Sequence, residues 1–132
     1  MADNLIRVLI CDDHPVVRRG LSALLSAADD IDVVGTAGDG EEAVAMTVEL
    51  EPNIVLMDVS MPGMDGIEAT RRVLDANPNT RVVMLTSFSG HDRIKSALDS
   101  GAVGYILKDS KPEEVLKGIR SAARSAEPVE DQ

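Results

Sequence analysis

The stretch Asn53-Ile54-Val55-Leu56-Met57-Asp58-Val59-Ser60-Met61-Pro62-Gly63-Met64-Asp65-Gly66 decides the fold. An unbroken apolar run stops at a carboxylate, and a turn bearing proline and glycine follows it. A run this short, with no polar alternation, suits a strand covered on both faces, as in a parallel sheet. Working outward, similar apolar or β-branched runs lie at Ile6–Cys11, Asp32–Ala37, Arg81–Thr86 and Gly104–Leu107, beside Asn53–Met57 itself. Longer segments with helical periodicity separate them. Val17, Gly20, Leu21, Leu24, Leu25 and Ala28 share one face of a helix starting near Pro15, a residue suited to the first helical position. Further faces are Ala43, Met46, Thr47 and Leu50; Ile67, Thr70 and Leu74; Ile94, Ala97 and Leu98; and Val115, Leu116, Ile119 and Ala123.

Start signals agree. Asp39, Asp65 and Ser110 each stand three residues before a glutamate (Glu42, Glu68, Glu113), the spacing of a capping box. Gly101 suits the end of the fourth helix. Strand and helix thus alternate five times, which predicts an α/β, (βα)5 fold. The expected form is a doubly wound, flavodoxin-like, five-stranded parallel sheet with strand order 2-1-3-4-5, since a closed eight-stranded barrel needs about 250 residues. One domain is expected over residues 1–125. Residues 126–132, acidic and carrying Pro128, read as a tail or the start of a linker.

Composition narrows the function. The chain of 132 residues is 44% hydrophobic and 27% charged, as a soluble globular domain is. A lone cysteine, Cys11, permits no internal disulfide and suits the cytoplasm; it reads as a small buried hydrophobe. No apolar run approaches the ~18–20 residues that cross a bilayer. Lys and Arg number 13 against 23 Asp and Glu, and residues 1–66 hold 3 of the basic and 13 of the acidic side chains. That balance excludes a surface for phosphate backbones, so direct nucleic-acid binding by this chain is not expected.

In open α/β sheets, ligands bind beyond the carboxyl ends of the strands. There the sequence places Asp12 and Asp13 after the first strand, Asp58 after the third, Thr86 at the end of the fourth and Lys108 after the fifth. Each has a bland reading: Asp13 as a helix cap, Asp58 as a loop acid, Thr86 as a strand residue, Lys108 as solvated surface. Placement after four different strands is what makes them specific. Three converging carboxylates need a cation among them. Hard oxygen donors, with no histidine or cysteine expected among them, point to Mg2+. A carboxylate beside that metal, a lysine and a hydroxyl can receive a phosphoryl group.

From Leu5 to Arg124 the chain resembles the receiver domains of bacterial two-component response regulators. The motifs that carry this are Ile10-Cys11-Asp12-Asp13-His14, Val55-Leu56-Met57-Asp58 with Met61–Gly66, Leu85-Thr86-Ser87, Gly101-Ala102-Val103-Gly104-Tyr105 and Leu107-Lys108. The run His14-Pro15-Val16-Val17-Arg18-Arg19-Gly20-Leu21 with Lys108-Asp109 is most similar to the NarL/LuxR-type branch. The resemblance implies that Asp58 accepts a phosphoryl group from a sensor histidine kinase, the chain catalysing only its own phosphorylation and slow dephosphorylation. It implies that Asp13 and Asp58 ligate Mg2+ directly, Asp12 through water, and Ser60 through its backbone carbonyl. Thr86 and Lys108 would contact phosphoryl oxygens. Thr86 and Tyr105 would form the switch, and the 90–124 face would change and dimerise or bind an effector.

Many receivers have proline after the lysine; here it is Asp109, so a cis peptide is not carried over. Regulators of this branch end in a helix-turn-helix domain. The chain is therefore expected to be a fragment whose parent controls transcription, the alternative being a stand-alone or phosphate-independent interaction module. A phosphohydrolase of the Asp-x-Asp kind is disfavoured because Ser60 stands where its general acid would be. Gly35, Gly38 and Gly40 reverse the dinucleotide-binding spacing and precede acids, so they read as a turn capping the second helix.

Overall fold

A computed structural model of the chain describes residues 5–59, 61, 63–86 and 91–125, with backbone alone for 91–94 and 125. The strands are β1 (Ile6–Cys11), β2 (Ile31–Ala37), β3 (Ile54–Asp58), β4 (Arg81–Thr86) and β5 (Gly104–Leu107). The helices are α1 (Pro15–Ser26), α2 (Gly40–Leu50), α3 (Gly66–Ala76), α4 (His91–Asp99) and α5 (Pro112–Ser125). All pairings are parallel and the sheet order is β2-β1-β3-β4-β5. The expected (βα)5 architecture and strand order are both present.

Because side chains alternate along a strand, each central strand feeds two layers. Leu9, Cys11, Val55, Met57, Val82 and Met84 point into one layer, where Ala43 of α2, Ala69 and Val73 of α3 and Ala97 of α4 join them. Val8, Ile10, Ile54, Leu56, Val83 and Leu85 point into the other, with Leu25 of α1 and Val115, Ile119 and Ala122 of α5. Every residue of β3 is buried, which explains why its sequence shows no polar alternation.

Helix starts follow their caps in two cases and depart in two. The Asp39 carboxylate accepts from the Glu42 N–H at 2.8 Å and Asp65 from Glu68 at 3.0 Å, so α2 and α3 begin where expected. Ser110 does not cap α5. That helix begins at Pro112, and the Glu114 side chain accepts from the Lys111 N–H at 3.4 Å, one residue later than the sequence spacing suggests. Nor does Asp13 cap α1. The N-cap is His14, whose side chain makes no cap bond, and Pro15 at the first position has no N–H to satisfy.

One residue assigned to an inward face points outward: Leu98 of α4 is 42% exposed. Gly20 of α1 is exposed but lines an open groove with Val17, Leu21 and Leu24 of the same face. Gly101, at φ +118°, ends α4 as expected, in a conformation that disfavours other residues. No peptide bond among the described residues is cis, the Lys108–Asp109 bond included. None of their helices is long and apolar enough to cross a membrane.

Candidate functional site

The carboxyl ends of β1, β3, β4 and β5 lie side by side, and the register sets what meets there. Cys11 pairs with Met57, Asp58 with Leu85 and Thr86 with Leu107. Just past these positions, the Val59 N–H donates to the Leu85 carbonyl at 2.9 Å and the Lys108 N–H to the Thr86 carbonyl at 2.8 Å. The backbone therefore fixes Asp12, Asp58, Thr86 and Lys108 at one edge of the sheet.

Asp12 is fully buried and Asp58 is 2% exposed. Carboxylates in such places need a partner, and both share one. The Lys108 ammonium lies 2.9 Å from Asp12 Oδ2 and 3.1 Å from Asp58 Oδ2. Asp12 Oδ1 accepts from the His14 N–H at 2.8 Å, while Arg18 Nη1 donates to the Asp12 carbonyl at 2.6 Å. Burial alone pushes the Asp12 carboxyl up, but the His14 N–H and Lys108 outweigh it and hold it below its ordinary value. Burial likewise lowers Lys108, yet its bonds to Asp12 and Asp58 prevail and raise it. Both groups are thus held in their charged forms.

Asp13, freed from capping, turns a buried Oδ1 toward the same cluster. One ligand atom from each of Asp12, Asp13, His14 and Asp58 lies within 4.8 Å of the others. The expectation that no histidine lies near the acids is corrected here. His14 Nδ1 approaches Asp12 Oδ1 to 3.1 Å and Asp13 Oδ1 to 3.2 Å, because the turn from Asp12 into α1 folds the ring back over the acids. Three carboxylates facing one lysine leave a net negative pocket. The donor set fits a divalent cation, with carboxylate oxygens from beyond the ends of two strands.

Of the remaining sequence-predicted residues, Thr86 is buried at the end of β4. Tyr105 is not in the pocket. It sits on the edge strand β5, 49% exposed, in a cleft with Val103, Gly118 and Ala122. Ser60 lies outside the described residues. Cys11 is fully buried, its thiol near the Asp39 carbonyl and Met61 Sδ; burial, then the nearby Asp58 charge, pushes its pKa up to about 12. It is an inert core residue, as the sequence suggests.

Gly66 is a site residue that sequence reasoning passed over as one letter of a turn. Its N–H donates to the Val59 carbonyl at 2.9 Å, and a Cβ there would land on the Asp58 carbonyl oxygen and against the Val59 backbone. Only glycine lets α3 start this close to the acid, and the Asp65-Gly66 pair after an apolar strand was the available signal.

A five-stranded parallel sheet of this order, with acids clustered at its carboxyl edge, is the form of a receiver domain. The response regulator receiver domain model matches residues 8–120, and the chain belongs to that family. Its curated relatives include transcriptional regulatory proteins and response regulator proteins. It is 44% identical over 128 residues to the transcriptional regulatory protein LiaR of Bacillus subtilis, covering 97% of this chain and 61% of that protein. It is 46% identical over 115 residues to the response regulator protein VraR of Staphylococcus saprophyticus, covering 87% of this chain and 55% of that one. The chain therefore spans under two thirds of these relatives' length. Among solved structures, a LuxR-family two-component response regulator from Aurantimonas superposes with a TM-score of 0.87 at 35% identity, covering 92% of this chain and 86% of that one.

Proposed function

We propose that this receiver takes a phosphoryl group onto Asp58 and passes the change to its α4–β5–α5 side. The observation that carries this is the buried Asp58, joined through one lysine to a second buried aspartate, in a pocket with a third acid. Asp13 and Asp58 would hold Mg2+, with Asp12 acting through water and Ser60 adding its carbonyl; the metal, when bound, neutralises charge on the transferring group.

The chain's own part is positioning and charge. An Asp58 oxygen attacks phosphorus, the phosphorus–nitrogen bond to the donor imidazole breaks, and the leaving nitrogen keeps the electron pair and takes a proton. Lys108 turns from the carboxylates to the phosphoryl oxygens, and the Thr86 hydroxyl donates to another. The inward move of Thr86 leaves room for Tyr105 to rotate from its exposed position. That reshapes the 90–124 face, where Leu98, Val103, Tyr105 and Leu107 already expose apolar surface. A second copy or an effector would cover it.

The donor is a sensor histidine kinase in the cytoplasm. Residues 1–125 are the receiver, and 126–132 begin a linker to an output domain, so that DNA binding and control of transcription belong to the parent protein. The complete set of acids, threonine and lysine disfavours a phosphate-independent interaction module. Incubation with Mg2+ and acetyl phosphate followed by intact-mass measurement tests the reading: a gain of one phosphoryl group that requires Mg2+ supports it, and no gain by the folded protein refutes it.

A further inference from the structure

The direction of Asp13 is not the one its place in the chain favours. It stands at the start of α1, where an aspartate ordinarily caps the helix, yet the N-cap is His14 and Asp13 turns a buried Oδ1 toward Asp12 and Asp58. The peptide that carries Asp13 is held from the preceding residue. Asp12 is fully buried, so its backbone groups need partners. Its N–H donates to the Ala37 carbonyl at 3.1 Å, and its carbonyl accepts from Arg18 Nη1 at 2.6 Å. The Asp12–Asp13 peptide is planar, so fixing that carbonyl constrains where the Asp13 side chain leaves the backbone.

Arg18 is built for this task. It is half-buried one turn into α1, and its guanidinium rests against the turn between β2 and α2: a Cβ on Gly38 would stand 3.3 Å from Nη1. That turn is itself fixed, because the Gly38 N–H donates to Glu42 Oε1 at 2.8 Å. Residues 1–66 hold 13 acidic side chains against 3 basic ones, so carboxylates are plentiful, yet the short bond from Arg18 goes to a backbone carbonyl. A donor that carries charge holds a carbonyl more firmly than water does. We propose that Arg18 is a positioning residue for phosphoryl transfer, whose clamp on the Asp12 carbonyl keeps Asp13 facing the pocket instead of the helix start. The inference rests on reading Asp58 as the phosphoacceptor with Asp13 serving the transfer.

The test compares the full chain with Arg18→Met, which keeps the apolar stem and removes the donor, and with Arg18→Lys, which keeps a donor of the same charge. Circular dichroism confirms that each is folded. The Val16 N–H is among the first groups of α1, which have no partner within the helix. In metal-free protein its hydrogen exchange, followed by NMR, is expected to slow in Arg18→Met, because the released Asp13 carboxylate reaches the N–H three residues on. A merely loosened fold would speed exchange there. In the reaction with acetyl phosphate, Arg18→Met is expected to need a Mg2+ concentration about 10-fold higher or more for half-maximal rate, and Arg18→Lys to recover most of that loss. Unchanged exchange at Val16, with a half-maximal concentration within about 2-fold of the parent chain, overturns the role of Arg18. A parent chain that takes no phosphoryl group overturns the receiver reading instead, and the exchange measurement still decides whether Arg18 holds Asp13.

Discussion

Asp58 ends an all-buried strand and enters an ion pair rather than solvent, and its neighbours decide what changing it does. Asp58→Asn keeps the size of the side chain but removes the charge, and it is expected to abolish phosphorylation while the chain stays folded, as circular dichroism and intact mass would show. Lys108→Ala removes the positive charge opposite Asp12 and Asp58. Loss of one such stabilising group costs about 100-fold or more in rate, read from the time course with acetyl phosphate. Gly66→Ala forces a methyl group onto the backbone of Asp58 and Val59. Overpacking of this kind costs about 1–3 kcal/mol, seen as a lower urea midpoint. The placement of Asp12, Asp13, Asp58, Thr86 and Lys108 at one edge of the sheet was legible in the sequence because each ends or follows a recognisable strand. His14 and Gly66 were not. What they do depends on how a turn folds back and how closely α3 approaches β3, and neither is a property of spacing.

The strands and helices follow from patterns that local physics enforces. β3 is apolar because it is covered twice, and α2 and α3 start at aspartates that bond the third N–H along. Asp39→Ala and Asp65→Ala should each cost about 1 kcal/mol of stability, measured by urea unfolding. Asp13→Ala should behave differently. Asp13 caps nothing and faces other acids, so in metal-free protein this change leaves stability unaltered or raises it, and it removes the stabilisation that added Mg2+ gives. Sequence reading failed at the start of α5 and on the α4 face. At α5, Ser110 had the spacing but Lys111 and Pro112 moved the start one residue on. On α4, periodicity could not show that Leu98 belongs to the exposed edge with Val103 and Tyr105.

For the whole molecule, charge sets the pH range of stability. Asp12 is held below its ordinary value of 3.8, so its ionised form contributes stability above that pH, and the contribution is lost as pH falls through the lowered value. The Cys11 thiol is pushed from 9.0 to about 12, so folding favours its protonated form; that contribution is complete below 9.0 and is lost as pH rises toward 12. Lys108, raised above 10.5, likewise contributes below that value and loses the contribution beyond it. Urea unfolding of metal-free protein should therefore give a plateau that falls at both ends. Cys11→Ala should flatten the first part of the alkaline fall, with the cavity cost appearing as a uniform offset. In the native protein at pH 8, Cys11 should react with a thiol reagent only as fast as the fold opens.

The proposed function depends on which carboxylate in a crowded acid pocket takes the phosphoryl group. After incubation with acetyl phosphate and Mg2+, reduction with borohydride converts an aspartyl phosphate to homoserine, and peptide mapping locates it. Homoserine at position 58 alone is the result the geometry predicts. Homoserine at Asp12 or Asp13, or a phosphorylated chain with Asp58 untouched, would contradict it.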